Sequence, residues 1–68
     1  MRPMKVRNAT VRPYINRGGH EEFEVIIETI HREKYSYMMV SQCREDAEMD
    51  ARNIMKKKEV LATDCNEI

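Results

Sequence analysis

Two consecutive glycines, Gly18 and Gly19, separate two segments of alternating polarity, and this pattern constrains the chain more than any other. The stretch VRPYINRGGHEEFEVII, residues 11–27, reads as strand, turn, strand. Glycine reaches positive φ without a Cβ clash and Asn16 tolerates similar conformations, so the chain reverses here. The spacing predicts a β-hairpin with a turn longer than two residues. Before the turn, Ala9, Val11, Pro13 and Ile15 share one strand face under period-two alternation. Pro13 has no N–H to give a ladder, so the second half of this strand belongs at a sheet edge or beside a bulge. Residues 1–4 are either a flexible arm or the beginning of the strand.

After the turn, residues 21–31 form the best strand. Phe23, Val25, Ile27 and Thr29 make an apolar face that should meet a core. Glu22, Glu24, Ile26, Glu28 and Ile30 make a partly solvated one. A polar connector at residues 31–34 leads to a third strand at residues 35–40, where Tyr35, Tyr37 and Met39 alternate with Ser36, Met38 and Val40. Both faces carry apolar groups, as in a central or covered strand. Connectors this short join antiparallel neighbours.

Ser41 then stands as the N-cap of a helix, with Glu45 and Asp46 near its first turn and Lys56, Lys57 and Lys58 near its end, charges that suit the macrodipole. Cys43, Ala47, Ala51 and Ile54 recur at helical spacing and form the buried stripe, with Met49 nearly opposite. Residues 59–61 either continue the helix or turn back over the sheet, and residues 62–68 are a polar tail. The expected fold is α+β: a three-stranded antiparallel meander packed against one C-terminal helix, β-β-β-α, in a single domain over residues 1–68. Its core is Phe23, Val25, Ile27, Ala51, Ile54 and one face of the third strand. One helix covers one sheet face, so the other is wet or bound.

A chain of 68 residues buries only about 60% of the surface its unfolded form exposes, so a partner has much to contribute. With 41% apolar and 35% charged residues, it is too apolar for a disordered chain and too charged for a membrane one. No segment approaches the roughly 20 apolar residues of a membrane span, and no apolar run follows the basic N-terminus as in a signal peptide. The expected setting is cytoplasmic. Cys43 and Cys65 allow one disulfide at most, and two reduced thiols are the expectation.

The charge distribution is uneven although the formal net charge is zero. Residues 2–17 contain Arg2, Lys5, Arg7, Arg12 and Arg17 and no acid, whereas residues 21–33 contain five glutamates and one arginine. If the two segments pair, opposite charges meet across the ladder, each pair contributing about 0.2–1 kcal/mol, and register slips are penalised. The alternative function for the same residues is contact with nucleic acid through Arg7, Arg12, Arg17 and Lys34. The order of three strands and a helix, together with the alanines of EDAEMDA at residues 45–51, resembles the arm-type DNA-binding domains of phage and transposon integrases. That resemblance spans residues 11–57 and implies an open sheet face laid into a major groove. It carries over no functional residue. Glu22, Glu24 and Glu28 depart from it, because carboxylates on that face repel phosphate.

No phosphate-binding glycine loop, nucleophile elbow or zinc spacing is present, and His20, His31, Cys43 and Cys65 match no compact metal pattern. Enzyme activity, cofactors and metals are therefore not expected. The expected function is a small non-catalytic protein-interaction or accessory protein of phage or mobile-element type, with a protein partner or a homodimer in place of a membrane. Tyr14, Ile26, Ile30, Tyr35 and Met49 are the candidate interface, since tyrosine and methionine are enriched in such patches.

Overall fold

A computed structural model describes residues 3–68; Met1 and Arg2, half of the proposed arm, lie outside the described residues. The elements are β1 (Pro3–Ile15), β2 (Glu21–Thr29), β3 (Lys34–Tyr37), α1 (Arg44–Lys57), β4 (Glu59–Leu61), a 3₁₀ turn (Ala62–Asp64) and β5 (Cys65–Glu67). The fold is not a three-stranded meander with a C-terminal helix. It is a five-stranded antiparallel sheet in the order β4-β1-β2-β3-β5, curled into a half-barrel around α1. Residues 59–61 leave the helix and pair with Pro3–Lys5, which makes Pro3 and Met4 the beginning of β1.

The curl follows from chain length. β4 and β5 occupy opposite edges, and only Ala62–Asp64 joins them. In a flat sheet four inter-strand gaps of about 4.8 Å would hold the edges roughly 19 Å apart. Four residue steps from Leu61 to Cys65 reach at most about 14 Å, and a 3₁₀ turn shortens that reach. The sheet must therefore bend. Every strand turns side chains inward: Val6, Val25, Ile27 and Val60 are buried with Ala47, Ala51 and Ile54 of α1, and Met4, Ala9, Val11, Phe23, Tyr37, Met55 and Cys65 pack against them.

The β1–β2 turn is longer than two residues, as expected. Gly19 N–H donates to the Asn16 carbonyl (3.0 Å) and Asn16 N–H to the His20 carbonyl (2.9 Å), enclosing a three-residue loop with Gly19 at φ 81°. The Asn16 side-chain oxygen accepts from the N–H groups of Gly18 and His20. The β2–β3 turn repeats this construction. Arg32 N–H donates to the Thr29 carbonyl (3.0 Å), Thr29 N–H donates to the Glu33 carbonyl (2.9 Å), and Thr29 Oγ1 accepts from His31 and Glu33. Here, however, an arginine occupies the left-handed position, at φ 67°. That conformation costs an L-residue about 1–2 kcal/mol, part of which glycine gives back through its freer unfolded chain. Arg32→Gly should raise stability by about 1 kcal/mol, read as a higher urea midpoint. A midpoint unchanged or lowered would contradict this. The exposed Arg32–Glu28 contact at 4.0 Å has little to lose.

Pro13 stands at an edge, as its chemistry requires. Phe23 exchanges both of its backbone bonds with Ser41, so Pro13, opposite Phe23, faces away from the ladder. β4 pairs with β1 only at Pro3–Lys5, so among the described residues no strand on that side needs the missing N–H. β1 also shifts register between Val6 and Asn8. Two boundaries differ from expectation. Ser41 is a bridge partner of Phe23, and the N-cap is Cys43, which makes no side-chain capping bond. β3 ends at Tyr37: its pairing with β2 stops at Ile26–Ser36, Met38 N–H still donates to the Asp64 carbonyl in the β3–β5 register (2.8 Å), and the chain rejoins β2 only at Ser41.

Candidate interaction surfaces

The open face of the sheet carries the charge reversal, and it is internally paired. In the β1–β2 register Arg12 lies opposite Glu24, Tyr14 opposite Glu22 and Asn8 opposite Glu28. Arg12 donates from Nε (2.9 Å) and Nη2 to Glu24, whose other oxygen accepts from Ser36 on β3 at 2.9 Å. Glu24 is thereby only 8% exposed on a face that no other element covers among the described residues. Arg7, at the register shift, reaches Glu28 at 3.4 Å, and Tyr14 and Asn16 donate to Glu22. Ile26 is half-buried between Thr10 and Ser36.

The structure separates the proposed interface residues. Tyr14 and Ile26 share the open face. Ile30 lies in the β2–β3 turn, 53% exposed, because β2 ends at Thr29. Tyr35 pairs with Ile27 and so belongs to the opposite face from Ile26. Met49 lies on the outer side of α1 at 62% exposure, among Glu45, Glu48 and Arg52. Of the proposed nucleic-acid residues, Arg7 and Arg12 are held by glutamates. Arg17, in the first turn, and Lys34, opposite Glu28 on β3, make no ion pair among the described residues.

Two surfaces were not singled out from sequence. One is the bulge Met38-Met39-Val40, three consecutive apolar residues 54%, 62% and 40% exposed. It is fixed at one end by the Met38–Asp64 bond and at the other by the Phe23–Ser41 bridge. The available signal was the excess of apolar groups on both faces of residues 35–40. The other is a cleft of about 600 Å³ at the unclosed seam of the half-barrel. Tyr37, Ile54, Val60 and Leu61 line it with Asp50 and Asp64. Burial, then Asp64 and Asp50, push the Tyr37 phenol above its ordinary value. Burial and then Asp64 likewise raise the Cys65 thiol, and Cys43 and Cys65 are both free. Among the described residues no three metal-ligating side chains gather, and no helix is long and apolar enough to cross a membrane.

Comparison of the chain with protein-family models, curated proteins and solved structures returned no match.

Proposed function

We propose that this chain is a small non-catalytic protein-interaction module, an accessory protein of the cytoplasm, that pairs with a second copy of itself through the Met38-Met39-Val40 bulge. The observation carrying this reading is the exposure of those three side chains on a segment anchored at both ends. A fixed apolar protrusion binds without first paying an ordering cost, and methionine adapts to the surface it meets. The small core, in which Val25 and Ile27 are the largest fully buried side chains, leaves a stability margin that a partner enlarges.

The nucleic-acid reading is weaker on electrostatic grounds. Two of its four cations are already paired with carboxylates, and the face they occupy presents Glu22, Glu24 and Glu28. A phosphate backbone would have to displace those pairs. Light-scattering mass at low and high salt, with and without a mixed-sequence DNA duplex, separates the two. A dimer that persists at high salt, ignores DNA and becomes a monomer in the Met38→Ser/Met39→Ser double variant is expected. A monomer overturns self-association, and one that gains mass with DNA only at low salt promotes the basic residues instead.

A further inference from the structure

The seam cleft has a composition suited to one kind of occupant. Its lining is apolar and aromatic, from the buried Ile54 and Val60, the half-buried Tyr37 and the exposed Leu61 at the edge. Its rim bears three carboxylates, Asp50, Glu59 and Asp64, and one amine, Lys57. Lys5 occupies Glu59 at 3.7 Å. Among the described residues neither Asp50 nor Asp64 forms an ion pair, and neither does Lys57. Among the described residues, two unpaired carboxylates against one amine leave the rim one positive charge short of balance. Both aspartates line the cleft together with Tyr37, and their charges add to burial in raising its phenol.

We infer that this cleft receives an arginine side chain from a partner protein. Ile54, Val60 and Leu61 cover the aliphatic stem, Tyr37 offers its ring, and Asp50 and Asp64 accept from the guanidinium. Arginine fits better than lysine because its planar fork engages carboxylates with two donors at once and stacks on aromatic faces. The volume lies within the roughly 300–1,000 Å³ of ordinary ligand clefts, so it admits the side chain and part of the backbone that carries it. The seam lies between the two sheet edges: β4 and β5 are joined by three residues at one end and are not paired with each other, and Asp50, Asn53, Ile54 and Lys57 of α1 line the cleft beside them. This inference rests on the reading of the chain as a protein-interaction module, but it concerns a different surface from the Met38-Met39-Val40 bulge.

The test is an NMR titration of the ¹⁵N-labelled protein at low salt with N-acetyl-arginine amide. Saturable shifts are expected at Tyr37, Asp50, Asn53, Ile54 and Asp64. The neutral N-acetyl-norleucine amide should bind about tenfold or more weakly, a difference of about 1.4 kcal/mol. The double variant Asp50→Asn/Asp64→Asn should lose binding by at least a similar factor while the signals of β1 and β2 stay in place. In that variant the Tyr37 phenol, followed through its ring carbons, should also titrate at lower pH than in the wild type, since two negative charges that oppose phenolate are gone. Shifts that never saturate and spread to Glu21, Glu33 and Glu45 overturn the inference. So does equal binding of the norleucine probe, or a double variant that binds normally. Saturable binding here by a protein that scattering finds monomeric keeps the cleft and discards self-association; a salt-stable dimer without saturable binding does the reverse.

Discussion

Ile27→Ala should lower stability by about 2–5 kcal/mol, whereas Ile30→Ala, three residues away, should change it by less than about 0.5 kcal/mol. Ile27 is fully buried in β2, the middle strand of the sheet, between Ala9 of β1 and Tyr35 of β3. Truncating a buried isoleucine to alanine costs about 2–5 kcal/mol, with the larger values where the surroundings cannot close the cavity. Here they close poorly. The helix residues buried with it are Ala47, Ala51 and Ile54, and two of the three carry only a methyl group, which has no other rotamer to swing into the space. A domain of this size has a total stability of roughly 3–10 kcal/mol, so the loss is comparable with the whole. Ile30 is 53% exposed in a turn and makes the comparison fair, being the same substitution at the other end of the burial scale. Far-UV circular dichroism and urea titration of both variants would decide. Equal losses would mean that the face assignment of β2 is mistaken.

That assignment was legible in the sequence because nine consecutive residues give period-two alternation room to show: Val25, Ile27 and Thr29 are buried and Phe23 packs beside them under Arg44. Pro13 announced an edge through the bond it cannot make, and Ala47, Ala51 and Ile54 announced the helix face through their spacing, whereas Cys43, expected in the same stripe, precedes the helix as its exposed N-cap. The charge reversal announced its own ladder, in Arg12–Glu24 and Arg7–Glu28. β4 and β5 were not legible for a physical reason. Three-residue strands turn only one or two side chains inward, Val60 and Cys65 here, and a single residue has no period. Their pairing is set by tertiary closure, and the cleft depends on that closure, since its walls come from β1, β3, α1, β4 and the 3₁₀ turn. Residues 38–40 misled in the opposite direction. Apolar groups on both faces are the mark of a covered strand, yet the chain leaves the ladder there and exposes all three.

The other large effect should come from adding volume where none is available. Ala47→Leu should destabilise the fold by about 1–3 kcal/mol, although leucine is nearly as good a helix former as alanine. Ala47 is 1% exposed, and Ala51 one turn on is 7% exposed, so the axis of α1 lies close to the sheet along this stripe. Three extra carbons at Ala47 have no space on the helix side. They must lift the N-terminal half of α1, where Arg44 sits over the Phe23 ring at 5.3 Å and the chain has just left its bridge at Ser41. The far end of the helix cannot follow, because Lys58 N–H is bonded to the Ile54 carbonyl (2.7 Å) and the Lys58 carbonyl to Val6 N–H (2.9 Å). The helix is thus held at one end and wedged at the other, and relaxation has to come from the sheet. Met49→Leu, a swap of similar volume at a residue 62% exposed, should leave the urea midpoint unchanged and serves as the control in the same helix. An Ala47→Leu protein as stable as the parent would show that the helix and sheet are not in close contact, and with that the compact core around Val25 and Ile27 would have to be redrawn.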